Sequence, residues 1–336
     1  MNYMDNNMKI IAITDSLPIE EENALLKTSA PQPTIGPKDL LVKINAVSIN
    51  PVDIKVRTSA GSQEEPKILG WDAAGIIEDM GSAVEGFSVG DAVYYAGDLT
   101  RPGSNAEYQA VDYRIVAHKP SSLEFEDAAA LPLTAITAWE TLFDHMKLTN
   151  DSTGNLFVNG GAGGVGSMII QLAKAKTSLT VIASASREES REWCKKMGAD
   201  YIVDHNQELA SQLSELDGAD YVFSAYTTGK EEELAEVMNP QGHLVLIDDP
   251  ESLNIGAFKP KSITVTPEFM FTRSMFETED MDYQGKLLEE VATLVDNGTI
   301  KSTATEYFAG LKVDTFRQAH QRVETSHVVG KVVISY

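Results

Sequence analysis

Short apolar stretches, each closed by glycine, proline or asparagine, fill the first third of the chain. Met8–Thr14 reads as a strand, and Leu40–Val47 alternates apolar and polar positions as a half-buried strand does. Asn50-Pro51 breaks that run, since the residue before a proline is pushed towards extended backbone and proline has no N–H to donate. The prolines at 31, 33 and 37 predict a loop over 30–37. Further strands are predicted around Ala73–Ile77, Ala92–Tyr95, Ala106–Ala110 and Arg114–His118, separated by Gly81-Ser82, Gly86, Gly90-Asp91 and Pro102-Gly103. Strands so closely spaced predict a compact β-barrel-like domain.

Near residue 124 the period changes. Phe125–Ala130 and Thr137–Phe143 are helical in composition, with Pro132 as the break between them. From Asn155 onward strand and helix alternate. Strands are predicted at Leu156–Val158, Thr180–Ala183, Tyr201–Val203, Asp220–Phe223, His243–Ile247 and Ser262–Val265, with helices near 164–175, 187–197, 207–215 and 230–238. That alternation predicts a doubly wound parallel sheet with right-handed crossovers. Helices at about 282–296 and 314–324 and a final strand from Gly330 follow, a tail too small for a domain of its own and expected to pack on the N-terminal barrel.

The turn after Leu156–Val158 reads Gly160-Gly161-Ala162-Gly163-Gly164-Val165-Gly166. Gly161, Gly163 and Gly166 meet the G-x-G-x-x-G spacing of a dinucleotide site, with a strand before and an amphipathic helix after. The first glycine permits the tight turn, the second admits a pyrophosphate to the backbone, and the third lets helix pack on strand. Backbone N–H groups of residues 161–166 and the positive end of the helix dipole would hold the phosphates, which assigns Ala162, Gly164 and Val165 to the site as well. After the second strand come Ser184-Ala185-Ser186-Arg187, with no acidic residue for the ribose hydroxyls of NAD. Hydroxyls and a guanidinium suit a 2′-phosphate, so NADPH is the expected cofactor. Ser186 also suits a helix N-cap with Glu189 three residues on, and both roles can hold together.

Composition narrows the partners. A net charge of −23 argues against nucleic acid and against an anionic membrane surface. It also means that an anionic cofactor needs a local cluster of positive groups. Cys194 is the only cysteine, so neither an intrachain disulfide nor a thiolate metal cluster can form, and a reducing cytoplasm is the expected compartment. Met1–Asp5 is polar, which predicts no secretory signal, and no apolar run reaches membrane-spanning length.

Four local runs then occur in one order: Ile68-Leu-Gly-Trp-Asp-Ala-Ala-Gly75, Gly90-Asp-Ala-Val-Tyr94, Gly103-Ser-Asn-Ala-Glu-Tyr108 and Ala129-Ala-Leu-Pro-Leu-Thr134. With the glycine turn they resemble the medium-chain dehydrogenase/reductase superfamily over nearly the whole chain. The resemblance is strongest to its zinc-free quinone-reductase branch, which includes proteins labelled zinc-type alcohol dehydrogenase-like. It implies an α/β protein with a GroES-like β-barrel catalytic domain over residues 1–130, completed by 270–336, and a Rossmann doubly wound parallel sheet over 131–269. Zinc-dependent members hold their metal with a cysteine, a histidine in a Gly-His-Glu run, and a cysteine or aspartate. The matching positions here are Asn50, Trp71 and Leu133, a set with little to offer zinc, and no metal is expected.

The resemblance also carries over site residues. Asn50 matches a donor near the nicotinamide or substrate, although it also suits a plain turn before Pro51. Lys55 stands where the family has a tyrosine, which leaves the proton donor open, and Asp53 with Arg57 is expected to form a structural ion pair. Thr137 matches a threonine against the nicotinamide. Phe269 and Phe271 match a loop beside that ring, with Trp71 and Tyr94 as further pocket walls. His205 and Lys331 match positions that reach the cofactor phosphates, though either could be a solvated surface residue. The expected function is NADPH-dependent hydride transfer to a quinone or an α,β-unsaturated carbonyl compound, by a homodimer. The alternatives are a zinc-dependent alcohol dehydrogenase and a non-catalytic NADPH-binding protein.

Overall fold

A computed structural model describes residues 7–336. The chain divides into two units. One takes in Met1–Leu133, Phe271–Gly298 and Ser302–Tyr336, and the other Thr134–Met270 and Thr299–Lys301.

The first unit is built on the strand Asp39–Ile49. Its near-continuous burial comes from Leu40, Val42, Ile44 and Val47 inside, with further apolar residues against the covering helices. The sheet runs Ala304–Ala309, Lys331–Ser335, Asp39–Ile49, Ala73–Met80, Ala92–Tyr95, Val116–His118, and Tyr108–Asp112 adds to Asp39–Ile49. All of its pairings are antiparallel except that of Ala304–Ala309 with Lys331–Ser335. A separate small sheet pairs Asn7–Ile13 with Leu26–Pro31 and Lys67–Ile68.

The expected barrel does not close. Its end strand Val116–His118 is covered by the helix Tyr283–Asp296 rather than by another strand. A β-carbon on Gly285 of that helix would lie 2.6 Å from the Arg114 carbonyl, so only glycine permits so close an approach. Asn50-Pro51, expected only as a break, opens the helix Pro51–Ser59. Asn50 is its cap and Pro51 its first residue, the position where a missing N–H costs nothing.

The second unit is a six-stranded sheet in which every pairing is parallel. Counted from Asn155–Asn159, its strand order is 3-2-1-4-5-6, the doubly wound arrangement in which ligands bind beyond the carboxyl ends of strands 1 and 4, where the order reverses. Those two strands are Asn155–Asn159 and Ala219–Ser224. Phe157, Ile182, Val222 and Leu244 pack on one face and Val158, Ala183, Phe223 and Val245 on the other, so the sheet is buried on both faces, as a parallel sheet demands.

Candidate functional site: a dinucleotide turn and a buried ammonium

The glycine turn sits at that reversal. The helix Gly164–Lys176 has Gly163 as its cap, so no side chain occupies its first free N–H groups. Ala162 to Val165 are half-exposed, whereas Gly161 and Gly166 are buried. A β-carbon on Gly166 would meet the Gly160 carbonyl at 2.3 Å, and one on Gly161 would meet Ala183 at 2.7 Å. At Gly163 the nearest atom would be 3.6 Å away. Two glycines are therefore required by the protein's own packing, and the middle one leaves room for a ligand. The turn is held from below by side chains across three strand ends. Gly160 N–H donates to Ser184 Oγ at 2.9 Å, Ser184 Oγ donates to Asn159 Oδ1 at 3.2 Å, and Asn159 Nδ2 donates to Ser224 Oγ at 3.1 Å. Ser184 is thus an internal strut with its hydroxyl engaged, and the strut's other members, Asn159 and Ser224, were not singled out by the sequence.

Positive charge collects at the ends of the second and third strands. Arg187 is exposed and caps the helix Glu188–Met197; Ser190, not Glu189, closes the cap by accepting from Arg187 N–H at 3.2 Å, and Ser186 lies one residue outside it. Burial pushes His205 below its ordinary 6.5, and Lys230, Arg187 and Arg191 push it further, with Asp204 opposing. Three permanent cations therefore act on one imidazole. Arg191 is partly committed, since its guanidinium donates to Asp204 at 2.9 Å. Arg191 and Lys230 join Arg187 and His205 only through the fold.

In the first unit, strand register builds a second polar cluster. Val332 pairs with Ile49 and Val47 with Ala73, which brings Lys331, Asn50 and Asp72 side by side. Lys331 Nζ donates to Asn50 Oδ1 and, at 3.1 Å, to Asp72 Oδ2; the two charged side chains are 5% and 0% exposed. Asn50 Nδ2 donates to Asp72 Oδ2 at 2.8 Å, and the Leu133 N–H donates to Asp72 Oδ1 at 2.8 Å. Lys331 can only donate and ionised Asp72 can only accept, so the Asn50 amide has one orientation. Both of its ends are used internally.

The other expected site residues lie elsewhere in their units. Lys55 is exposed on the helix face opposite Asp53 and Arg57. Trp71 and Tyr94 are buried in the interior, the indole N–H on the Asp98 carbonyl at 3.1 Å and the phenol on the Leu288 carbonyl at 2.6 Å. Thr137 is buried on the helix Pro132–Trp139. Phe269 is half-exposed and Phe271 buried, and beside Phe269 the Glu268 carboxylate meets His145 Nε2 at 2.5 Å. The expected Asp53–Arg57 pair is absent. Arg57 instead donates to Glu324 and to the Leu17 carbonyl.

Known proteins carry the same organisation. The Alcohol dehydrogenase GroES-like domain family matches residues 36–121, and the Zinc-binding dehydrogenase family matches residues 164–289. A zinc-type alcohol dehydrogenase-like protein of Staphylococcus aureus is 42% identical over 98% of this chain and all of its own length. The chain belongs to the medium-chain dehydrogenase/reductase superfamily. It is an oxidoreductase of that superfamily, whose members bind a nicotinamide cofactor. Another superfamily relative, the NADPH-dependent alkenal/one oxidoreductase of Arabidopsis thaliana chloroplasts, is 31% identical over 92% of this chain and 75% of its own. A Rhizobium etli protein named as a zinc-dependent alcohol dehydrogenase has a crystal structure that matches at a TM-score of 0.94, 44% identical over 98% of each chain.

Zinc in those names calls for a donor set. Among the described residues, no three His, Cys, Asp or Glu side chains lie close enough to hold a metal. Asn50 offers an amide whose oxygen is taken by Lys331, Trp71 an indole N–H that can only donate, and Leu133 a hydrocarbon.

Asp53 has a consequence for stability. Its Oδ2 accepts from Asn50 N–H at 2.7 Å, while its Oδ1 is buried without a partner. Burial raises the carboxyl from 3.8 to about 7, against the Asn50 N–H and Lys331 and with the help of Asp72. The folded chain therefore holds a proton that the unfolded chain has already released. That contribution is complete below pH 3.8 and is lost as pH rises through about 7. Asp53→Asn should flatten the fall in melting temperature between mildly acidic and mildly alkaline buffer; a slope equal to that of wild type would contradict the assignment.

Proposed function

We propose that the chain is an NADPH-dependent reductase that passes hydride to a quinone or an α,β-unsaturated carbonyl compound and uses no metal. The observation that carries this reading is the gathering of Arg187, Arg191 and Lys230 around His205 in the sheet unit that carries the glycine turn, in a chain of net charge −23. A dianionic 2′-phosphate is the cofactor group that such a cluster fits, because it accepts charge-assisted hydrogen bonds from several cations at once. The alkenal/one oxidoreductase supplies the substrate class by similarity.

Bound reduced nicotinamide supplies a hydride. The chain's own part begins with the N–H groups of Gly164, Val165 and Gly166, which hold the pyrophosphate, and Arg187, which selects the phosphorylated ribose. In the first unit, the Asn50–Asp72–Lys331 cluster keeps the position of the family's metal ligands filled and rigid. Without a Lewis acid an alcohol is a poor substrate, while an electron-poor double bond or quinone accepts hydride directly. The reduced acceptor then takes its proton from solvent, as an enolate or hydroquinone can do without a strong acid beside it.

The test is turnover of NADPH with a panel of quinones, enones and simple alcohols, together with zinc analysis of the purified chain. NADPH oxidation by quinones or enones with far less than one zinc per chain is expected. One firmly held zinc and NAD-linked alcohol oxidation would establish the zinc-dependent alternative, and tight NADPH binding without turnover would establish a binding protein.

A further inference from the structure

The relatives are named for zinc, yet the centre that this chain builds from Asn50, Asp72 and Leu133 is closed around a side chain. Asp72 is wholly buried and both of its oxygens already receive donors: Leu133 N–H on Oδ1, and Asn50 Nδ2, Lys331 Nζ and Ser48 Oγ on Oδ2. Burial pushes the Asp72 carboxyl above its ordinary value while Lys331, Asn50 and the Leu133 N–H hold it down, so the carboxylate keeps its charge here only beside a counter-charge. Among the described residues the cation in contact with it is Lys331, which reaches it from the last strand of the chain, 259 residues away. That ammonium has its three hydrogens directed at Asn50 Oδ1, Asp72 Oδ2 and, at 3.5 Å, the Ile49 carbonyl. Its position is set by backbone register, since residues 331 and 50 are neighbours across the Val332–Ile49 pairing.

We propose that the Lys331 ammonium is the resident cation of this centre, neutralising Asp72 and orienting Asn50, and that a divalent metal is thereby excluded from it. A metal at Asp72 would have to displace the ammonium, strip the carboxylate of donors from three other groups, and find its remaining ligands among an amide, an indole and a leucine. The inference rests on the metal-free reading above and goes further, because it says which group does the metal's electrostatic work.

Two measurements on the full-length chain test it. In protein labelled with nitrogen-15 lysine, Lys331 should give an ammonium signal that persists near neutral pH, since buried, hydrogen-bonded ammonium protons exchange slowly, and excess zinc or chelator should leave it unmoved. Absence of a protected signal that Lys331→Arg removes, or its displacement by one equivalent of zinc, would overturn the proposal. The second is a thermodynamic cycle. Lys331→Met leaves Asp72 buried and uncompensated and should lower the melting temperature by roughly 5 °C or more, whereas Lys331→Met with Asp72→Asn should recover most of that loss. A double variant no more stable than the single one would overturn the pairing. The outcomes separate the two readings: zinc bound elsewhere with the ammonium signal intact defeats only the metal-free function, and a zinc-free chain without the signal defeats only the role of Lys331.

Discussion

Gly163→Ala should leave the protein as stable as before and weaken its affinity for either nicotinamide dinucleotide by about tenfold or more, equivalent to roughly 1.4 kcal/mol. Gly166→Ala should do the reverse, lowering stability by about 3 kcal/mol and, through that, the yield of folded protein. The difference follows from what each new methyl group would touch. At Gly166 it would lie 2.3 Å from the Gly160 carbonyl and 2.8 Å from the Gly161 α-carbon, two backbone atoms with nowhere to go. At Gly163 the backbone is extended, with φ −73° and ψ 171°, which alanine adopts without strain, and the nearest atom is 3.6 Å away. The methyl would instead project into the space over the free N–H groups of the helix, where a pyrophosphate must come within hydrogen-bond distance. Thermal unfolding and nucleotide titration of the two variants check this. A Gly163→Ala chain that binds both nucleotides as wild type does would show that the phosphates lie elsewhere.

The contrast between these two glycines also marks how far the sequence could be read. Spacing located the turn, because its glycines stand between an apolar strand and an amphipathic helix, and each of the six parallel strands was legible as an apolar run between turn residues. Closure of the first unit's sheet was not legible. Whether two end strands meet is decided by what covers them, and Val116–His118 is only three residues long, with a helix from near residue 290 laid across it. The strand Ala304–Ala309 was missed for a related reason: Thr305, Glu306 and Tyr307 lie at an edge and lack the apolar alternation that a half-buried strand shows. The helix Pro51–Ser59 was hidden because Asn-Pro signals a strand's end and a helix's start equally well.

Site chemistry was legible where it is local and obscure where it is not. Arg187 follows the second strand directly, so its position announced its charge. Lys230 comes from a turn beyond the fourth strand and reaches the same imidazole only because the parallel sheet gathers its carboxyl ends. Lys331 suggested a surface residue or a phosphate ligand; pairing of the last strand with Asp39–Ile49 buries it against Asp72 instead. Ser184 has the residue type of a phosphate ligand, yet it stands where the Gly160 N–H needs an acceptor, and that internal demand uses its hydroxyl. In each case long-range register decided between two uses of one side chain.

Arg187→Ala is expected to weaken NADPH binding by about 10- to 100-fold while changing NADH affinity by less than about 3-fold, because a charge-assisted hydrogen bond to a phosphate contributes roughly 1.5–3 kcal/mol. Lys230→Ala should act in the same direction and more weakly, as a single flexible ammonium lacks the paired donors of a guanidinium. Arg191→Ala should cost least of the three. Its guanidinium already donates to Asp204 at 2.9 Å, so part of its charge is spent before a ligand arrives. Binding of the phosphate should further favour protonated His205, whose charge the three cations suppress in the free chain. Titration of each variant with both nucleotides at fixed ionic strength checks the order, and salt must be held constant because exposed charges are screened over about 10 Å. An equal loss for NADH and NADPH in Arg187→Ala would remove the 2′-phosphate from this cluster, and with it the case for NADPH over NADH.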